Sequence, residues 1–301
     1  TGITWSNSLN VAQMLDKSSY SISLGNTHQD GIISSTGMDR YNVKVSADTK
    51  LTNNWSSGFT ANYITTSIDK AVTSGNGLLR TVYAAPPSYD LAGIPSHVDG
   101  NPYTQNSFRG SFDNAYWAME NNKFTEDTNR FFGNVYTSYQ TDFGTTNHKL
   151  NAKYMVGVDA YTTHYVDSYG YGSNTGGGRG QIENYGWTNA TYNSLLTINY
   201  DWHINEDWGL NAVVGNEIIQ SNRKKYYEYG TNYNFPGWNH INNATTQQTE
   251  EETWKNRTVG FFGNVSASYR NMLYLTLTGR QDYVSNMPVS YTHLRAHETV
   301  L

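Results

Sequence analysis

The sequence predicts an all-β chain, an antiparallel transmembrane β-barrel architecture of about ten strands. Three observations predict it. Side chains alternate apolar and polar with period two along nearly the whole chain, which gives each strand one apolar and one polar face. The connections alternate short and long, as in barrels whose turns lie on one side of a membrane and whose loops lie on the other. The composition lacks what a soluble core or a helical span would need. Of 301 residues, 15% are charged and 37% hydrophobic, with 25 Tyr, 27 Gly and no Cys. Mean hydropathy is -0.65, too polar for runs of ~20 apolar residues that could cross as helices.

The clearest strands run from Val259 to Asp282. Val259, Phe261, Gly263, Val265, Ala267 and Tyr269 share one face, opposite Phe262, Asn264, Ser266 and Ser268. After Arg270-Asn271 the pattern restarts, with Leu273, Leu275 and Leu277 against Tyr274, Thr276, Thr278 and Arg280. This reads as an antiparallel hairpin. The apolar set, Phe261, Val265, Leu275 and Leu277, is expected to face lipid, and Asn264, Ser266, Thr276, Thr278 and Arg280 the lumen. Leu275→Arg is then expected to cost ~2–4 kcal/mol near the midplane.

Taken in order, Trp5 to Gln13 alternates weakly. Ser19 to Asn26 alternates clearly, with Tyr20, Ile22 and Leu24 on one face. Met38 to Leu51 and Trp55 to Tyr63 flank the Thr52-Asn53-Asn54 turn. From Lys70 to about Asp127 the alternation stops, in a segment holding Pro86, Pro87, Pro95 and Pro102. This reads as a long structureless loop. Strands resume at Arg130 to Phe143 and Leu150 to Ala160, around a short turn at Gly144 to Asn147. Tyr169 to Tyr185 reads as a second long loop, Leu196 to Val214 as a hairpin, and Tyr229 to Trp254 as a third long loop.

The stretches Ser21 to Trp55, Tyr116 to Tyr139 and Val259 to Pro288, in that order, resemble SusC-like TonB-dependent outer-membrane transporters. The resemblance implies import of oligosaccharides or other nutrients across the outer membrane of a Gram-negative, Bacteroidetes-like cell, without covalent change to the cargo. It implies a SusD-like surface lipoprotein as a lid. It also implies a TonB-ExbB-ExbD complex as energy source, acting through regions this sequence does not contain. The family's plug, TonB box and later strands have no counterpart here, and such barrels close with ~22 strands. Residues 1–288 therefore read as a barrel fragment. Pro288 to Thr299, PVSYTHLRAHET, is similar to a translated sequencing adapter, so 289–301 read as an artefactual tail.

Several motifs weigh little. His293 and His297 fall in that tail. Gly176 to Gly180 lacks the Lys-Ser/Thr of a phosphate loop, and Glu250, Glu251 and Glu252 alone define no coordination geometry. His28, His97, His148, His164, His203 and His240 are scattered without a catalytic spacing. No enzyme activity, metal or cofactor is expected. A net charge of -5 disfavours nucleic acid as a partner.

The candidate ligand contacts are loop aromatics, which can stack on sugar rings, with polar neighbours. They are Tyr103, Tyr116, Trp117, Tyr169, Tyr171, Trp187, Tyr233 and Trp238, with Arg109, Asp113 and Asn114. The ligand would be a glycan or a peptide, and the bland reading makes these rings interfacial girdle or loop packing. Three rival classes remain: a soluble carbohydrate-binding β-protein, which needs the Phe261 face buried under a second sheet; a barrel-borne enzyme, which needs a His beside a nucleophile; and a stand-alone barrel such as an adhesin.

Overall fold

The computed structural model describes residues 2–72, 77–270 and 272–286. The 289–301 tail, with His293 and His297, lies outside these residues. Ten strands form one antiparallel sheet: β1 (Thr4–Met14), β2 (Ser18–Asp30), β3 (Gly37–Lys50), β4 (Trp55–Lys70), β7 (Lys123–Thr141), β8 (His148–Tyr169), β9 (Gln181–His203), β10 (Trp208–Tyr233), β11 (Ala244–Tyr269) and β12 (Leu273–Val284). Each pairs with its neighbour in the sequence, and β1 and β12 are the two edges of an open sheet.

The apolar face of this sheet carries no second layer. Phe261 is 53% exposed, Val265 45%, Leu275 62% and Leu277 66%. The buried hydrophobic residues among those described are Ala115, Trp117, Ile182, Tyr233 and Ala244, all at the end of the sheet with the long connections. A soluble sandwich would bury this face, because a sheet is stable in water only when its apolar side is covered. The polar face is instead cross-linked by side-chain hydrogen bonds at the β11–β12 hairpin. Asn264 Nδ2 donates to Thr278 Oγ1 at 2.7 Å, Ser266 and Thr276 hydroxyls lie 2.9 Å apart, and Arg280 pairs with Glu217 across β11 at 3.0 Å.

The apolar band has the height of a bilayer. On β10 it runs outward through Trp208, Leu210, Ala212, Val214 and Ile218; Asn216 interrupts it and donates to the Gly260 carbonyl. Above Ile218 the same face turns to Gln220, Asn222 and Lys224. Those 11 residues match the ~9–11 needed for a tilted strand to cross. Aromatic pairs mark the lower edge: Trp55 with Tyr139 at 5.1 Å, His148 with Trp202 at 5.8 Å, Trp208 with Tyr269 at 4.7 Å. Leu275 lies two residues from the β11–β12 turn, level with this girdle rather than at the midplane. Its replacement by Arg should therefore cost only about 0–1 kcal/mol; the midplane position is Val214.

The strands continue well beyond the band, and here the structure corrects the sequence reading. β10 and β11 each have 26 residues, so the third connection is only 234–243, not Tyr229 to Trp254. The second is 170–180, β7 begins at Lys123, and β8 reaches Tyr169. Above the membrane both faces of a strand meet water or polar neighbours. The hydropathy period fades there while the hydrogen-bond ladder persists. The long first connection is not structureless either. It holds α1 (Leu78–Ala84), a two-stranded ladder of β5 (His97–Val98) with β6 (Asn101–Gln105), and α2 (Ala115–Asn121). Its short elements are held by side-chain hydrogen bonds, which have no sequence period.

Candidate functional site

Three connections, 71–122, 170–180 and 234–243, interlock at one end of the sheet. Asp113 is the centre of the clasp. Its carboxylate accepts from Ser173 Oγ at 2.6 Å, the Asn174 backbone N–H at 2.7 Å, Asn174 Nδ2 at 2.9 Å and Gln105 Nε2 at 2.8 Å. Its own carbonyl accepts from Thr81 Oγ1 at 2.7 Å. Asn114 caps α2 by accepting from the N–H groups of Tyr116 and Trp117, which satisfies donors a helix start leaves orphaned. Its backbone N–H donates to Gln105 Oε1 at 2.7 Å. Trp117 is fully buried and donates from Nε1 to the Pro102 carbonyl at 2.8 Å. Asn239 Nδ2 reaches the Asn121 carbonyl at 2.9 Å, tying the third connection to the first.

Two glycines permit the close approach. Gly172 has φ +101 and lies so near the Tyr103 carbonyl that a Cβ there would fall 2.2 Å from its oxygen. Gly180, at φ +80, would place a Cβ 2.3 Å from the Tyr233 ring. Gly180→Ala is thus expected to cost about 1–3 kcal/mol of local stability, read as faster protease cleavage within 170–180. Unchanged cleavage would show that the ring yields freely.

The eleven sequence candidates divide. Asp113, Asn114, Trp117 and Tyr233 are buried scaffold; their polar groups are engaged within the clasp, except that the Tyr233 hydroxyl has no partner. Tyr171 packs on the small core of Ile182, Tyr233 and Ala244. Tyr103 wedges against Gly172 and Gly237. Tyr169 and Tyr233 are the last residues of β8 and β10 rather than loop residues, and Tyr169 meets Phe124 edge-on at 5.2 Å. Arg109 lies over the Phe108 and Phe112 rings at 4.9 and 5.7 Å. Tyr116 and Trp238 are exposed, Trp238 stacked between Phe235 and His240 at 5.8 and 5.0 Å.

Trp187 belongs to a different group. It sits on β9, above the apolar band, on the polar face. There it joins Tyr165 of β8, Tyr185 of β9, Tyr227 of β10 and Trp254 of β11 in an aromatic wall. Tyr165 and Tyr185 stack at 4.8 Å and 7°, Tyr165 lies 5.7 Å from Trp187, and Tyr185 lies 6.4 Å from Tyr227. Lys70 sits 4.5 Å over Tyr165. Cross-strand register assembles the wall: Tyr165, Tyr185 and Tyr227 are direct partners across β8, β9 and β10. Partial burial, with the Asp167 carboxylate beside it, pushes the Tyr185 phenol above its ordinary range. Burial with Glu183 close by pushes Tyr227 up to about 12. Both phenols therefore remain neutral hydrogen-bond donors at physiological pH. Sequence reading missed Tyr165, Tyr227 and Trp254 because strand pairing, not spacing, joins them.

A His beside a nucleophile does occur. Ser96 Oγ lies 2.9 Å from His97 Nδ1, and His97 Nε2 lies 3.1 Å from Glu120. The Glu120 contact lacks hydrogen-bond direction; it ties the β5–β6 ladder to α2. Among the described residues no cluster of three His, Asp or Glu could hold a metal ion.

No family model matches the sequence. A curated relative, TonB-dependent receptor P26 of Formosa agariphila, is 24% identical over 295 residues, covering 88% of this chain and 26% of that protein. The RagAB peptide importer in its open-open state superposes with a TM-score of 0.78 at 15% identity, over 97% of this chain and 32% of that one. The ferripyoverdine receptor of the Pseudomonas aeruginosa outer membrane superposes at 0.53 and 12% identity, over 98% and 37%. The chain thus spans about a quarter to a third of the relatives it matches in sequence and in the higher-scoring structures. In fold, it is a ten-stranded stretch of a TonB-dependent receptor β-barrel, with an open edge on each side.

Proposed function

We propose that this chain forms part of the wall and extracellular cap of an outer-membrane channel that imports oligosaccharides. In this reading TonB-ExbB-ExbD supplies the energy, and a SusD-like lipoprotein covers the loops. The observation that carries the proposal is the two-faced sheet. One face is an uncovered apolar band of bilayer height, and the other is polar and rises into an aromatic wall. Backbone groups in hydrocarbon must be satisfied by closure, so the missing part of the barrel completes a lumen lined by the polar face. The aromatic wall then meets a ligand entering from the cap, and stacking rings with neutral phenol donors suit sugar rings and hydroxyls. The rigid clasp built on Asp113 and Trp117 supports that wall, leaving Tyr116, Arg109 and Trp238 as outer contacts. A peptide ligand is the second reading, favoured by the likeness to a structure described as a peptide importer.

The test uses the full-length transporter in its own cell. The double replacement Tyr185→Ala with Trp187→Ala removes two stacking rings, worth ~1–3 kcal/mol together. It is expected to raise the apparent KM for uptake about tenfold or more, at unchanged outer-membrane levels. Normal uptake by that variant would remove the wall from the transport path.

A further inference from the structure

Arg223 of β10 stands on the polar face between two indoles, with its guanidinium carbon 5.0 Å from the Trp187 ring centroid and 5.4 Å from that of Trp254. Trp187 belongs to β9 and Trp254 to β11, so the rings flank the arginine from both neighbouring strands. Arg223 is exposed. Among the described residues it has no hydrogen bond or ion pair. The other cations of this region are compensated: Lys70 pairs with Glu126 at 3.4 Å and Lys225 with Glu252 at 3.8 Å. Directly across from Arg223, in register, is Asn189. Its Nδ2 is buried and has no acceptor. A fixed guanidinium fork and an orphaned amide donor thus stand side by side. Buried donors are normally satisfied, so an exception points to a missing partner.

We propose that Arg223 and Asn189, framed by Trp187 and Trp254, bind an oxyanion carried by the transported ligand, a carboxylate for which the fork offers two parallel N–H donors. The proposal rests on the import reading above and narrows its substrate class to acidic ligands. The two indoles hold the guanidinium plane by cation–π contact, which reduces the rotamer freedom an arginine would otherwise lose on binding. Of the carboxylates on this part of the wall, Glu252 stands beside the Trp187 row and is paired with Lys225 at 3.8 Å; Glu250 lies in the Tyr185–Tyr227 row and Glu183 beyond it, and Asp167 is engaged by the Tyr185 hydroxyl at 3.0 Å. A carboxylate could come from a uronic-acid sugar or from a peptide C-terminus; the chemistry at Arg223 is the same.

The experiment measures binding to purified full-length transporter in detergent. The probes are trigalacturonate against its methyl ester, and a tripeptide against its C-terminal amide. At least one acid is expected to bind tenfold or more tightly than its neutral form, with the preference shrinking as salt is raised. The pair that shows the preference identifies the source of the carboxylate. Arg223→Gln is expected to bring acid and neutral form within about twofold. Arg223→Lys should retain part of the preference, because it keeps the charge and loses the fork; it also carries the test if the glutamine variant does not assemble. Equal affinity for acid and neutral forms in the unaltered protein overturns the proposal. So does a preference that survives Arg223→Gln, or no binding of either acid at millimolar concentration. Uptake by cells separates this from the import reading. Acid binding lost in Arg223→Gln without any uptake supports the oxyanion site and sinks import. Uptake of neutral ligands, indifferent to Arg223→Gln, does the reverse.

Discussion

Val214→Arg is expected to destabilise the assembled barrel by ~2–4 kcal/mol, whereas Val213→Arg, one residue earlier, is expected to be nearly neutral. The two valines are chemically identical, and hydropathy cannot rank them. Register can. Val214 pairs with Ile198 and Gly263, stands six residues above the Trp208 girdle and is 55% exposed on the apolar face. Val213 pairs with Asn199 and Asn264 on the polar face, where a guanidinium would find water and amide acceptors. A charge at Val214 would have to enter hydrocarbon at the depth where its cost is greatest. The comparison is made on the full-length protein, by urea unfolding in vesicles and by the heat-dependent gel mobility of folded barrels. Equal effects at the two positions would mean that no membrane lies against the Val214 face.

Trp117→Ala is the second large effect expected, about 3–5 kcal/mol, and it should be confined to the cap. The indole is fully buried; its N–H donation to the Pro102 carbonyl ties α2 to β6 within the first long connection, and its ring packs beside Gly172 of the second. The small core of Ile182, Tyr233 and Ala244 is a separate cluster at the same end. Removing the ring leaves a cavity at the junction while the strand ladders below keep all their hydrogen bonds. The expected readout is rapid protease cleavage within 71–122 and 170–180 on intact cells, with the barrel's heat-dependent mobility retained. Asp113→Ala should behave similarly, since four donors would lose one acceptor group. If Trp117→Ala abolished barrel assembly instead, the cap and wall would be one cooperative unit rather than two.

Much of this was legible in the residues. Alternation at Val259 to Asp282 placed the hairpin, its register and its two faces, because a period-two pattern admits only one pleat that segregates apolar from polar side chains. The short turns at Thr52 to Asn54 and Gly144 to Asn147 were legible for the same reason: the pattern breaks and restarts around them. Above the membrane that logic lapsed. Tyr229 to Trp254 read as loop although most of it is strand, since a ribbon with polar surroundings on both faces needs no alternation. The same lapse places Trp187 in a loop and gives no sign of its neighbours Tyr165, Tyr227 and Trp254, which strand pairing alone brings to it.

The sequence by itself determined that strands form, which side chains of the crossing segments meet lipid, and that no helix spans. These properties are local, set by a two-residue period and by the cost of burying polar groups in hydrocarbon. The tertiary structure alone decided that Asp113, Asn114 and Trp117 serve as scaffold and that rings from four strands make one wall around an unpaired arginine. Those contacts join residues as far as 95 positions apart, as Lys70 and Tyr165 are; they depend on strand order and shear, which no spacing within a single segment records.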